Sequence, residues 1–111
     1  MPDSGRRYTL EVRGEAPSVT LAPMGDLDLT SADGLVEAVE RASAEGTRDL
    51  VLDLRDVEFL DSSGLRAILM TDDHCRRQGV RLRLIRGSER VMRVFTVTRV
   101  GERLPFIDGS G

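Results

Sequence analysis

The chain contains no lysine; all sixteen of its cationic side chains are arginine. A compositional bias of the source genome is the plain explanation, yet the absence removes every mechanism that needs an amine. A P-loop nucleotide hydrolase is excluded on that ground, because its lysine must reach the phosphates. The single cysteine, Cys75, rules out an internal disulfide and a cysteine-based metal cluster. The single histidine, His74, rules out a multi-histidine metal site. No apolar run approaches the roughly 20 residues of a membrane span. Residues Met1 to Gly5 do not read as a signal peptide, so a cytoplasmic location away from membranes is expected. The net charge of −3 offers no general basic footprint for direct nucleic-acid binding. No cofactor and no metal is expected.

What remains is an ordinary globular composition, 40% hydrophobic and 32% charged. At 111 residues the chain is long enough for one domain with a real core and too short for two. Residues 7–13 alternate in polarity as a half-buried strand does, Gly14 to Pro17 make a turn, and Ser18 to Met24 read as the second strand of a hairpin. Gly25-Asp26-Leu27-Asp28 follows as a short acidic loop. A helix is expected from Thr30, with Asp33 three residues on as a shortened capping box. Its apolar stripe is Ala32, Leu35, Val36, Val39 and Ala42, and Gly46 supplies the stop. Residues 49–54 are short and aliphatic, as in a strand buried on both faces. A second helix carries Leu65, Ile68 and Leu69 and ends near Gln78 with Gly79 beyond it. Val80 to Ile85 alternate again, and Ser88 is placed to cap a third helix bearing Val91, Met92, Val94 and Phe95. Leu104 to Ile107 read as a last short strand.

Strands alternating with helices predict an α/β fold, and the opening hairpin makes its sheet mixed. The expectation is a single domain over residues 7–107, flanked by tails at 1–6 and 108–111. Its β-sheet has four to five strands, with the helices packed mainly on one face.

Between the third strand and second helix stands Phe59-Leu60-Asp61-Ser62-Ser63-Gly64-Leu65. Two hydroxyls therefore sit at a strand-to-helix turn, where unpaired N–H groups and the helix dipole favour negative charge. A phosphate would be comfortable there. Hydrolysis is not supported: Ser62 and His74 lie about 18 Å apart along a helix axis, and Gly-x-Ser-x-Gly is absent. The chain is not read as an enzyme.

These residues resemble the STAS domain family, and within it the small bacterial anti-sigma factor antagonists. The resemblance rests on Met24 to Asp28, on Leu50 to Leu54 with Val57 and Phe59, on Asp61 to Leu65, and on Ser88 to Phe95 followed by a short strand. It implies transcription regulation by partner switching. The unphosphorylated protein binds an anti-sigma factor that is also a serine kinase, which frees a sigma factor. Phosphorylation breaks the complex, and a serine phosphatase reverses it, commonly in a stress response. The resemblance makes Ser62 the phosphoacceptor, with Asp61 before it and Asp26 and Asp28 as the nearby acidic loop. Arg99, after Thr98, departs from this pattern, standing where many relatives have glycine between the last helical segments.

Each candidate also has a structural reading. Ser63 is assigned to capping. Gly64 serves either a partner's close approach or packing on the sheet, and Asp26 and Asp28 serve either a partner or the turn. Asp53, inside a buried run, reads as a satisfied structural carboxylate, and Cys75 as a partly buried apolar group. Met70 and His74 form either a partner-facing patch or plain surface. The expected partner surface comprises Asp26, Asp28, Asp61, Ser62, Ser63, Gly64, Arg66 and Met70, on a monomer or weak homodimer. The competing role with the same fold is a scaffold subunit of a stress-signalling assembly, or a regulatory module of another system.

Overall fold

The computed structural model describes residues 8–107. The two tails expected at 1–6 and 108–111 lie outside the described residues. Strands β1 (Tyr8–Glu15) and β2 (Ser18–Leu27) form an antiparallel hairpin closed by Ala16 and Pro17, with Glu15 opposite Ser18. Helix α1 (Ala32–Ala44), strand β3 (Asp49–Asp53), strand β4 (Val57–Leu60) and helix α2 (Ser62–Gln78) follow. Strand β5 (Arg81–Ile85), helix α3 (Glu89–Thr98), a 3-10 turn (Val100–Arg103) and strand β6 (Phe106–Ile107) complete the order.

The sheet is mixed, in the order β1-β2-β3-β5-β6, and only the hairpin pair is antiparallel. Counting the short strands β4 and β6, it has six strands. The extra strand comes from β2, which is ten residues long and outruns β3. Residues Ser18 to Leu21 pair with β3, and Gly25 to Leu27 pair with β4 across a register shift between Gly25 and Asp26. The acidic segment expected as a loop is therefore partly strand: Asp26 lies beside Phe59 and Leu27 beside Leu60.

In β5, Leu82 and Leu84 are buried while Arg81 and Arg83 are exposed, so one face of that strand meets water. Helices α1 and α2 contact each other and cover the other face. Leu35 and Val39 of α1, Ile68 of α2, and Leu50, Leu52 and Leu84 of the sheet form the centre of the core. Each such side chain contributes about 1.5–3 kcal/mol by leaving water. Phe95 of α3 meets Phe106 of β6 edge to face, with centroids 5.2 Å apart, and ties the last strand down.

Two local features differ from the sequence reading. Helix α1 starts at Ala32, not Thr30, and no side chain caps it. The Asp28 carboxylate takes the Thr30 N–H and hydroxyl (2.9 and 2.7 Å), while the Ser31 hydroxyl accepts the Asp28 N–H at 3.0 Å and donates to the Asp26 carbonyl, so both hydroxyls are turned back toward the preceding turn. Arg99 ends α3 in the left-handed conformation, φ 63°, where glycine is at ease. The start of α3 and the end of α2 follow the sequence signals. Ser88 Oγ accepts the Val91 N–H, and Gly79, φ 72°, closes α2.

Asp53 is the satisfied carboxylate expected. It is fully buried, accepts Arg55 Nε and Nη2 at 3.0 and 2.9 Å, and lies 3.6 Å from Arg13 of β1. The Arg55 hydrogen bonds hold its carboxyl below the ordinary range, against the upward push of burial. Cys75 is buried outright, and burial, reinforced by nearby Asp72, pushes its thiol up to about 11. It is a packing group, not a reactive one.

Candidate functional site at the serine turn

The turn begins where β4 runs out. Asp61 is extended, φ −109° and ψ −170°, and is the N-cap of α2: its Oδ1 accepts the Gly64 N–H at 3.0 Å. Its carbonyl accepts the Leu65 N–H at 2.9 Å. The capping role assigned to Ser63 therefore belongs to Asp61. A cap must be an extended residue whose side-chain oxygen reaches two or three residues ahead. Ser62 and Ser63 are already helical, and their hydroxyls are released from that duty.

The two serines differ in access. Ser62 is exposed, and its hydroxyl takes part in no hydrogen bond among the described residues. Ser63 is half-buried and looks into the space between α1 and α2. Gly64 is buried, and a Cβ there would strike the Leu27 carbonyl oxygen and lie 2.6 Å from Leu60 Cδ1. Of its two readings, the geometry supports packing: α2 can approach the end of β2 only without a side chain at this position.

That close approach brings the acidic segment to the serine turn. The Asp61 N–H points at the Leu27 carbonyl (3.4 Å), so Asp26 and Leu27 run beside Phe59, Leu60 and the start of the turn, with Asp28 next along the chain. Asp26 is half-buried. Asp28 is only 2% exposed and bound to Thr30. Asp28 thus organises the turn from the inside and is corrected as a direct surface contact; Asp26 and Asp61 are the half-exposed acids of the set.

Arg66 and Met70 are exposed on α2 and line a groove of about 240 Å³ against α1, together with Ser63, Leu29, Asp33 and Val36. Leu29, 76% exposed, lines this groove and was not among the residues singled out from the sequence. Its signal was available: it is a large apolar residue in a polar turn, off the periodic stripe of α1. His74 lies one turn beyond Met70, half-buried, in a second recess between the same helices. No group of three or more His, Cys, Asp or Glu able to hold a metal occurs among the described residues.

The STAS domain family model matches residues 8–110. The chain belongs to the STAS domain family. Among curated STAS relatives, the anti-sigma-B factor antagonist of Bacillus subtilis (strain 168) is 32% identical over 89 residues, covering 80% of this chain and 81% of the relative. The fold of this STAS domain is shared with an anti-sigma factor antagonist from Mycobacterium paratuberculosis (TM-score 0.80, 22% identity, 95% and 89% of the two chains). It is shared as well with the anti-sigma factor antagonist SpoIIAA, solved unphosphorylated (TM-score 0.75, 21% identity, 93% and 88%). SpoIIAA is also solved phosphorylated (TM-score 0.70, 19% identity, 93% and 91%). No helix among the described residues is long and apolar enough to cross a membrane.

Proposed function

We propose that this STAS domain is an anti-sigma factor antagonist, a binding regulator and not an enzyme. With Ser62 unmodified it binds an anti-sigma factor that is also a serine kinase, and so frees a sigma factor. The kinase then transfers the γ-phosphoryl group of ATP to Ser62. The Ser62 oxygen bonds to phosphorus, the bond to the β-phosphate oxygen breaks, and the hydroxyl proton passes to a base on the kinase. The phosphorylated form releases its partner, and a serine phosphatase restores the hydroxyl.

The observation that carries this reading is the exposed, uncommitted hydroxyl of Ser62 at the first turn of α2, freed because Asp61 does the capping. A phosphoryl group there adds roughly −1.5 to −2 charge at neutral pH. The N-terminus of α2 offsets about 0.3–1 kcal/mol of that, while Asp61 and Asp26 oppose it. The fold has no need to change, in keeping with the alignment of this chain to both forms of SpoIIAA. A surface fitted to a neutral hydroxyl next to Ser63, Arg66 and Met70 meets a bulky dianion instead, which costs several kcal/mol when the contact is buried.

The test is to mix the protein with candidate anti-sigma kinases and ATP, map phosphate by mass spectrometry, and compare Ser62→Ala with Ser62→Asp. Ser62→Ala is expected to bind persistently and escape modification, and Ser62→Asp to bind weakly. Equal binding by the two variants refutes the switch, and phosphate found only on Ser63 or a threonine refutes the site.

A further inference from the structure

We infer that Arg66 is the built-in counter-charge for a phosphoryl group on Ser62, so that phosphorylation draws the one arginine of the α1–α2 groove away from it. The inference rests on the reading of Ser62 just given. Ser62 and Arg66 are four residues apart on α2, one above the other on the same side of the helix. The anion precedes the cation, which is the favourable order for such a pair. Both residues are exposed, so the guanidinium can swing without displacing packed groups.

Arg66 is also uncommitted. It has no ion pair or hydrogen bond among the described residues. The other arginines of α2, by contrast, are engaged one turn back: Arg76 with Asp72 at 2.8 Å and Arg77 with Asp73 at 3.0 Å. The Asp61 carboxylate holds the Gly64 N–H through Oδ1 and makes no ion pair with Arg66 among the described residues. Asp33 lines the groove from α1 but is not in ion-pair contact with Arg66. A phosphoseryl dianion offers a planar guanidinium two oxygens at once and more charge than either carboxylate.

The consequence lies in the groove. In the unmodified protein Arg66 stands among Leu29, Val36 and Met70, giving that apolar surface its cationic rim. Paired with phosphoserine, the guanidinium moves toward the start of α2 and the rim is left to Asp33. One modification thus changes two neighbouring surfaces: it places an anion at the turn and removes a cation from the groove. A partner carboxylate that uses Arg66 loses it to the phosphate by direct competition.

The experiment needs no kinase. Phosphoserine is installed at position 62 during translation, in the otherwise native chain and in Arg66→Gln. The Arg66 side-chain N–H and the Leu29 and Met70 methyl groups are then followed by NMR. Phosphorylation is expected to shift the Arg66 Nε–H and both sets of methyls in the native background, and to leave the methyls in place in Arg66→Gln. In urea, phosphorylation and Arg66 should couple roughly 1.5- to 2.5-fold in the unfolding constant, and less in high salt. An unchanged Arg66 resonance together with no coupling overturns the inference, as do methyl shifts that persist in Arg66→Gln. Because the phosphate is installed directly, those results stand apart from the proposed function, which fails on its own if no kinase modifies Ser62.

Discussion

The same substitution, glycine to alanine, should have opposite signs at two helical positions of this domain. At Gly34, exposed within α1, a Cβ would meet nothing within 4 Å. There alanine gains its intrinsic helix preference, about 0.5–1 kcal/mol. At Gly64 the new Cβ meets Leu60 Cδ1 at 2.6 Å and, closer still, the Leu27 carbonyl oxygen. The leucine methyl can rotate aside, but the carbonyl belongs to β2, which is held by its pairing with β4. Helix α2 must therefore retreat from the strand. Overpacking of this kind costs about 1–3 kcal/mol, and a backbone obstacle places Gly64 at the upper end of that range. Less the helix preference regained, the net loss is about 2 kcal/mol, or roughly 30-fold in the unfolding constant. The midpoint of thermal unfolding should fall by about 8–12 °C for a domain of this size. Urea denaturation followed by circular dichroism, with all three proteins sharing one slope, measures both effects. A Gly64→Ala protein as stable as Gly34→Ala would refute the close packing of α2 on β2, and with it the reason the acidic segment and the serine turn are neighbours.

Two further predictions concern other parts of the fold. Arg99→Gly should stabilise the protein by about 1 kcal/mol, because a residue with a Cβ is strained in the left-handed conformation that ends α3; a lower urea midpoint would contradict that geometry. Asp53 is held below the ordinary carboxylate range, chiefly by Arg55. Its folded value thus lies under its unfolded value of about 3.9, so its stabilisation is complete well above that pH and fades as pH falls toward the folded value. The gap in urea midpoint between the native protein and Asp53→Asn should be widest near neutrality and narrow below about pH 4, whereas a gap constant down to pH 3 would remove the ion pair from the account.

Much of this was legible from local signals. The hairpin, the three helices and the ends of α2 and α3 were marked by alternation, by helical periodicity and by Gly79 and Ser88, because each depends on residues within a turn or two of itself. The mixed sheet followed from element order. Less legible was anything that required knowing which backbone lies next to which. That Asp26 and Leu27 continue β2 depends on β4 arriving to pair with them. Which residue caps α2 depended on where the strand ended: the sequence reading assigned Ser63, and it is the extended residue, Asp61, that aims its oxygen at Gly64.

By itself, then, the sequence determined the kind of domain and pointed to the Asp-Ser-Ser-Gly turn as its candidate site, since strand-like and helix-like periodicities flank two adjacent hydroxyls there. Tertiary structure decided how the turn is divided. Packing of Gly64 on Leu27 fixes the start of α2, Asp61 takes the cap, Asp28 turns inward, and Ser62 alone of the two serines is left exposed. The reason is physical: capping and access are properties of position in space, and serine 62 and serine 63 differ in nothing else.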